Sequence, residues 1–132
     1  METYTDRCAL AEEHAKVSMA FLELAKEALE RSETRREYAF TIAELSFKAV
    51  EHGLTHHILS KTRNPPPETH EDAGKAAKLL GREFQEGFML LYDMYRRWSY
   101  RLKIGVVEKP EKPLNIAAKC LKMLGLKIEN NS

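Results

Sequence analysis

From Thr5 to about Arg31 the chain contains neither proline nor glycine, and Ala11, Ala15, Ser18, Leu22, Ala25 and Leu29 recur at three- and four-residue steps. This spacing follows the 3.6-residue turn of an α-helix, whereas a strand would scatter these side chains over both faces. A long helix with one apolar stripe is stable only when other elements cover that stripe. The rest of the chain must therefore supply helices able to do so.

Ser32-Glu33 interrupts the first pattern, and Thr34-Arg35-Arg36-Glu37 has the spacing of a capping box, which predicts a second helix beginning there. Its stripe runs through Tyr38, Ile42, Leu45, Ala49, Leu54 and Ile58 to about Lys61, across Gly53. A mid-helix glycine costs on the order of 1 kcal/mol relative to alanine. The run Thr62–Glu68 holds Pro65, Pro66 and Pro67 and cannot be helical, because each proline removes a donor and keeps the residue before it extended. Thr69 then supplies an N-cap, with Asp72 three residues on, to a short third helix through Ala73, Ala76, Ala77 and Leu80 that stops at Gly81. A fourth helix is predicted from about Arg82 to Lys103, with Phe84, Phe88, Leu91, Tyr92, Tyr95 and Trp98 facing inward and Gly105 ending it. After Pro110 and Pro113, a last helix from about Leu114 to Leu124 carries Ala117, Ala118 and Leu121. No repeat, glycine-rich phosphate loop or alternating strand pattern is present. The expectation is an all-α protein, an up-down four-helix-type bundle with an additional short C-terminal helix, forming a single domain over residues 1–132 with its core at about 5–126.

The overall charge of +1 excludes a global field that would draw the chain indiscriminately to nucleic acid or membrane. Its distribution is uneven. Residues 1–60 hold seven Lys/Arg against eleven Asp/Glu, a net of −4, while residues 96–127 hold nine against two, a net of +7. Glu12, Glu13, Glu27, Glu30 and Glu33 are expected to form a solvated acidic face. Apolar stretches stay well below the roughly 18 residues of a membrane span, so no membrane association and a cytoplasmic location are expected. Cys8 and Cys120 are isolated and are read as reduced and packed. Tyr4, Met19, Phe21 and Phe40 are left over when the core stripes are assigned, which predicts a self-association surface and a homodimer.

Two constellations carry possible chemistry. His52 and His56, four apart, share one helix face with His57 beside them, but no third metal ligand follows, and neither metal nor cofactor is assigned. From Tyr92 to Lys103, aromatic residues (Tyr92, Tyr95, Trp98, Tyr100) alternate with cations (Arg96, Arg97, Arg101, Lys103). That mixture can stack on bases and neutralise phosphates. It also fits a packed aromatic stripe ending in cations at a helix C-terminus.

The chain resembles the HEPN superfamily over roughly residues 8–126. The likeness rests on the long first helix, the segment Tyr38-Ala39-Phe40-Thr41-Ile42-Ala43-Glu44, and the loop ending in Thr69-His70 before a short helix. Leu91-Tyr92-Asp93-Met94-Tyr95-Arg96-Arg97-Trp98-Ser99-Tyr100 is similar to the family's Arg-x-x-Ala-Asp-Tyr segment, with Ser99 in the acidic position and Arg96 four rather than five residues before the tyrosine. The resemblance implies a nucleotide- or RNA-associated module, paired with a nucleotidyltransferase in a toxin–antitoxin-like system, with His70, Arg96, Arg97, Tyr100 and Arg101 as ligand-binding residues. It also implies a rival, a metal-independent endoribonuclease, because Arg63-Asn64 and His70 match an Arg-x4–6-His pattern. In that reading Arg63 steadies the phosphorane and His70 moves the 2′-hydroxyl proton. A helical scaffold with no small-molecule ligand is the third reading.

Overall fold

The computed structural model describes residues 3–100, 102 and 109–128, with the side chain of Tyr100 left aside. Among them are five α-helices and no strand: α1 (Tyr4–Ser32), α2 (Ala39–Lys61), α3 (His70–Leu79), α4 (Arg82–Tyr95) and α5 (Lys112–Met123). The fold is the expected all-α bundle. No helix among the described residues is long and apolar enough to cross a membrane.

The long helix α1 begins at a capping box that the sequence reading missed, in which Thr3 Oγ1 accepts from the Asp6 amide and the Asp6 carboxylate accepts from the Thr3 amide, both at 3.1 Å. The box expected at Thr34 and Glu37 does not form. Thr34 Oγ1 instead donates to the Arg31 carbonyl at the end of α1, and Glu37 pairs with Arg35 at 2.8 Å. With those side chains occupied, a 3-10 turn over Arg36–Tyr38 leads into α2, whose start has no side-chain cap.

The second helix is the axis of the bundle. Ile42, Ala43, Phe47, Ala49, Val50 and Leu54 along it are fully buried, and the core formed with Leu22, Phe84, Phe88, Leu91, Trp98 and Leu121 draws on the other long helices and α5. At Gly53 the packing explains the glycine. A Cβ there would lie 2.5 Å from Leu121 Cδ2 and 3.3 Å from Leu124 Cδ1, so its absence lets α5 seat closely on α2. Gly53→Val is therefore expected to lower stability by about 1–3 kcal/mol through overpacking, despite removing a glycine from a helix. Urea unfolding reads this as a lower midpoint with an unchanged slope.

The proline run stays outside the helices, and Thr69 caps α3 by accepting from the Asp72 amide at 3.0 Å, as its spacing predicted. The fourth helix departs from expectation. Regular α geometry ends at Tyr95 and continues as a π-helical turn over Arg96–Tyr100, where the Trp98 indole is buried and Ser99 Oγ donates to the Phe40 carbonyl of α2 at 3.3 Å. Such wider turns re-aim side chains relative to the preceding helix. Lys103 and Gly105 lie outside the described residues.

Two further expectations are corrected. Cys8 is exposed on the first turns of α1, whereas Cys120 is buried as expected, and burial pushes its thiol up to about 11. Met19 and Phe21 are partly buried against the core, because α2 covers more of α1 than one narrow stripe would need. The large apolar side chains that α1 leaves exposed are Tyr4 and the series Leu10, Val17 and Leu24, spaced by seven residues.

Candidate functional site

His70 occupies the first position of α3, delivered there by the proline loop and the Thr69 cap. Its Nδ1 lies 2.6 Å from Oε2 of Glu51, a residue one turn beyond Phe47 on α2. An ionised carboxylate can only accept, so Nδ1 carries the hydrogen and Nε2 remains available to a ligand. Neutral, Nε2 accepts from a hydroxyl such as that of a ribose; protonated, it donates to a phosphate. About half of the His70 side chain is exposed, while Glu51 is mostly covered.

Behind the imidazole stands an aromatic wall. The ring of Phe47 lies 5.4 Å from His70, that of Tyr92 at 5.6 Å and that of Tyr95 at 6.3 Å, and Phe47 in turn contacts Phe88, Tyr92 and Tyr95 at 5.2–5.5 Å. Phe47 and Tyr95 are core, whereas Tyr92 is half-buried and presents part of its ring outward. Over that ring sits the guanidinium of Arg96, 5.8 Å from the centroid, with the rest of Arg96 exposed. Glu51, His70, Tyr92 and Arg96 thus form one continuous array running from α2 across the α3 start to the end of α4.

The other residues singled out from sequence are placed differently. Arg97 is half-buried and bonded through Nη2 to Asp93 Oδ2 at 2.9 Å, one turn back on α4. Arg101 and the Tyr100 side chain lie outside the described residues. Arg63 is exposed at the entry to the proline loop and lines neither the cleft beside His70 nor the cleft between that loop and α3.

A cleft of about 430 Å³ adjoins His70, lined among others by Glu51, Glu68 and two more histidines, His14 and His52. His14 was not anticipated, although its place beside Ala11 and Ser18 on the covered side of α1 was a signal for it. The Nδ1 atoms of His14 and His52 are 2.9 Å apart, and the His52 ring is stacked between His14 and Phe21. Burial lowers the pKa of both, reinforced for His14 by His56 and for His52 by His14 and Lys48. His56 faces elsewhere: its Nδ1–H donates to the Ala11 carbonyl of α1 at 2.8 Å. The expected pairing of His52 with His56 on one face is thus resolved into two separate ties to α1, and among the described residues no three acidic, thiol or imidazole groups converge as a metal site.

Arg7 was also missed. Its Nη2 donates to the carbonyls of Ile58, Thr62 and Asn64 at 3.4, 3.2 and 2.8 Å, fastening the end of α2 and the start of the proline loop to α1. The loop that carries His70 is thereby anchored at its root.

No family model, curated protein or solved structure matches this chain.

Proposed function

We propose that this chain is a HEPN-like module of the cytoplasm that holds a nucleotide or a stretch of RNA on the face formed by His70, Tyr92 and Arg96, without cleaving it. In this reading it works beside a nucleotidyltransferase partner, in a toxin–antitoxin-like pair, as the family resemblance implies. The observation that supports it best is the continuity of the array: an imidazole held by Glu51, a partly exposed tyrosine ring, and a cation over that ring. A base can stack on an aromatic or guanidinium plane while its phosphate meets Arg96 and its ribose or phosphate meets His70 Nε2. The test is titration of the purified chain with mononucleotides and single-stranded RNA at low salt. Saturable binding that weakens with salt is expected. Absence of saturable binding to either leaves the scaffold reading.

The endoribonuclease reading draws on one observation, the Glu51–His70 pair, since a carboxylate that orients an imidazole also equips it as a general base. Against it, Arg63 does not line the cleft at His70. The two readings separate in one assay: RNA incubated with the protein in EDTA stays intact if the chain only binds, and is cut in a manner abolished by His70→Ala if it is the nuclease.

Self-association belongs to the same proposal. Leu10, Val17 and Leu24, seven apart on one side of α1, are the apolar stripe that a two-fold partner would cover. Sedimentation is expected to show a dimer that becomes a monomer in the triple variant Leu10→Glu, Val17→Glu, Leu24→Glu with helical content retained. A wild-type monomer at 100 µM, on the order of the upper range for weak association, excludes it.

A further inference from the structure

The His14–His52 contact has a chemistry of its own, independent of the nucleotide reading. Two imidazole nitrogens approach to 2.9 Å only when a single hydrogen lies between them, one ring donating through Nδ1–H and the other accepting with its Nδ1 lone pair. That hydrogen joins α1 to α2. A first added proton can go to the free Nε2 of the donating ring and leaves the shared hydrogen in place; a second must go to the accepting Nδ1, and would set two N–H groups and two positive charges against each other in half-buried rings, with His52 stacked on Phe21. We propose that His14 and His52 form a proton-operated latch between α1 and α2, closed by one shared hydrogen at neutral pH and opened when the second imidazole is protonated in mild acid.

The surroundings fit this assignment. On α2, Lys48 places positive charge near His52 and lies 5.9 Å over the Phe21 ring that stacks on it. The negative groups of the adjoining cleft are Glu51 of α2, already bonded to His70 of α3, and Glu68 of the proline loop. Among the described residues neither carboxylate is hydrogen-bonded to either ring, and Glu51 is committed to His70. Both imidazoles bind protons less readily in the fold than the ordinary histidine value of 6.5. The unfolded chain therefore takes up protons that the folded seam resists; the seam's contribution to stability is complete above about pH 6.5 and is lost as pH falls below it. Because the pair lines the cleft beside His70, opening the latch also loosens one wall of that cleft.

The experiment is an imidazole nitrogen-15 titration of the full chain from pH 8 to 4.5, with amide hydrogen exchange at residues 11–18 and 48–56 measured alongside and corrected for intrinsic rate. His14 and His52 are expected to titrate as a coupled pair below 6.5, with exchange at the seam accelerating at least tenfold between pH 7 and 5. In His14→Phe, which keeps a stacking ring without a titrating nitrogen, that acceleration disappears; His14→Gln gives the same test should the phenylalanine variant not fold. Independent titration of the two rings near 6.5 overturns the proposal. So does seam exchange that does not respond to pH, or acceleration that persists in the folded variant.

Discussion

Phe47→Ala is expected to cost the fold about 3–5 kcal/mol and to release His70 from its position at the same time. The side chain is fully buried, and its ring is the hub on which His70, Phe88, Tyr92 and Tyr95 converge. Truncation leaves a cavity under both the bundle core and the aromatic wall, and the cost grows with whatever volume the neighbours fail to refill. The control is Phe84→Ala. Phe84 is equally buried and stacks on Phe88, but has no contact with His70, so a similar loss of stability should leave the His70 resonances and any ligand affinity unchanged. Denaturant unfolding measures the first effect, and the breadth of the His70 imidazole signals at a temperature where both variants are folded measures the second.

Arg96→Ala should weaken nucleotide or RNA binding by roughly tenfold or more, the effect of losing a charge-assisted contact of about 1.5–3 kcal/mol. Its guanidinium is exposed on the outer side of the Tyr92 ring and makes no ion pair among the described residues, so a phosphate can reach it without displacing a carboxylate. Arg97→Ala should do less to affinity, because that side chain already bonds Asp93 and is half-buried; its loss falls on the π turn instead. Arg96→Lys is a further discriminator. A lysine keeps the charge but not the plane, so a stacked or bidentate ligand loses affinity and a simple phosphate contact keeps most of it. Isothermal titration of the three variants at one low salt concentration resolves these outcomes.

The bundle was legible in the sequence wherever one helix carried its own signal. The spacing of Ala11, Ser18, Leu22 and Ala25, the three prolines after Arg63, and the Thr69 cap with Asp72 are local features, and each appears where its pattern put it. Local signals failed where two of them competed. Thr34 and Glu37 have the capping spacing, but the Arg31 carbonyl and the Arg35 guanidinium lie close enough to take both side chains, and α2 starts without a side-chain cap. The π turn at Arg96 was not legible because aromatic spacing does not distinguish a turn of 3.6 residues from a wider one over five positions.

The candidate site was half legible. His70 and the aromatic, basic end of α4 stood out as residue types, but their relation depends on how the proline loop folds back, which no spacing encodes. Glu51 lies nineteen positions before His70, and Arg7 lies more than fifty before the carbonyls it holds. His14 and His52 meet across thirty-eight residues. Such pairs are set by the packing of α1 on α2 and become visible only once that packing is known.

In the proposed function, ligand engages the face on which Glu51, His70, Tyr92 and Arg96 meet. The most direct test is the nitrogen-15 shift of His70 Nε2 as single-stranded RNA is added to the labelled chain at low salt. A saturable shift at His70 Nε2 is expected, following the same binding curve as Arg96 and strongly weakened in Arg96→Ala. Saturable RNA binding that leaves His70 Nε2 unmoved, or that is indifferent to Arg96→Ala, would contradict it.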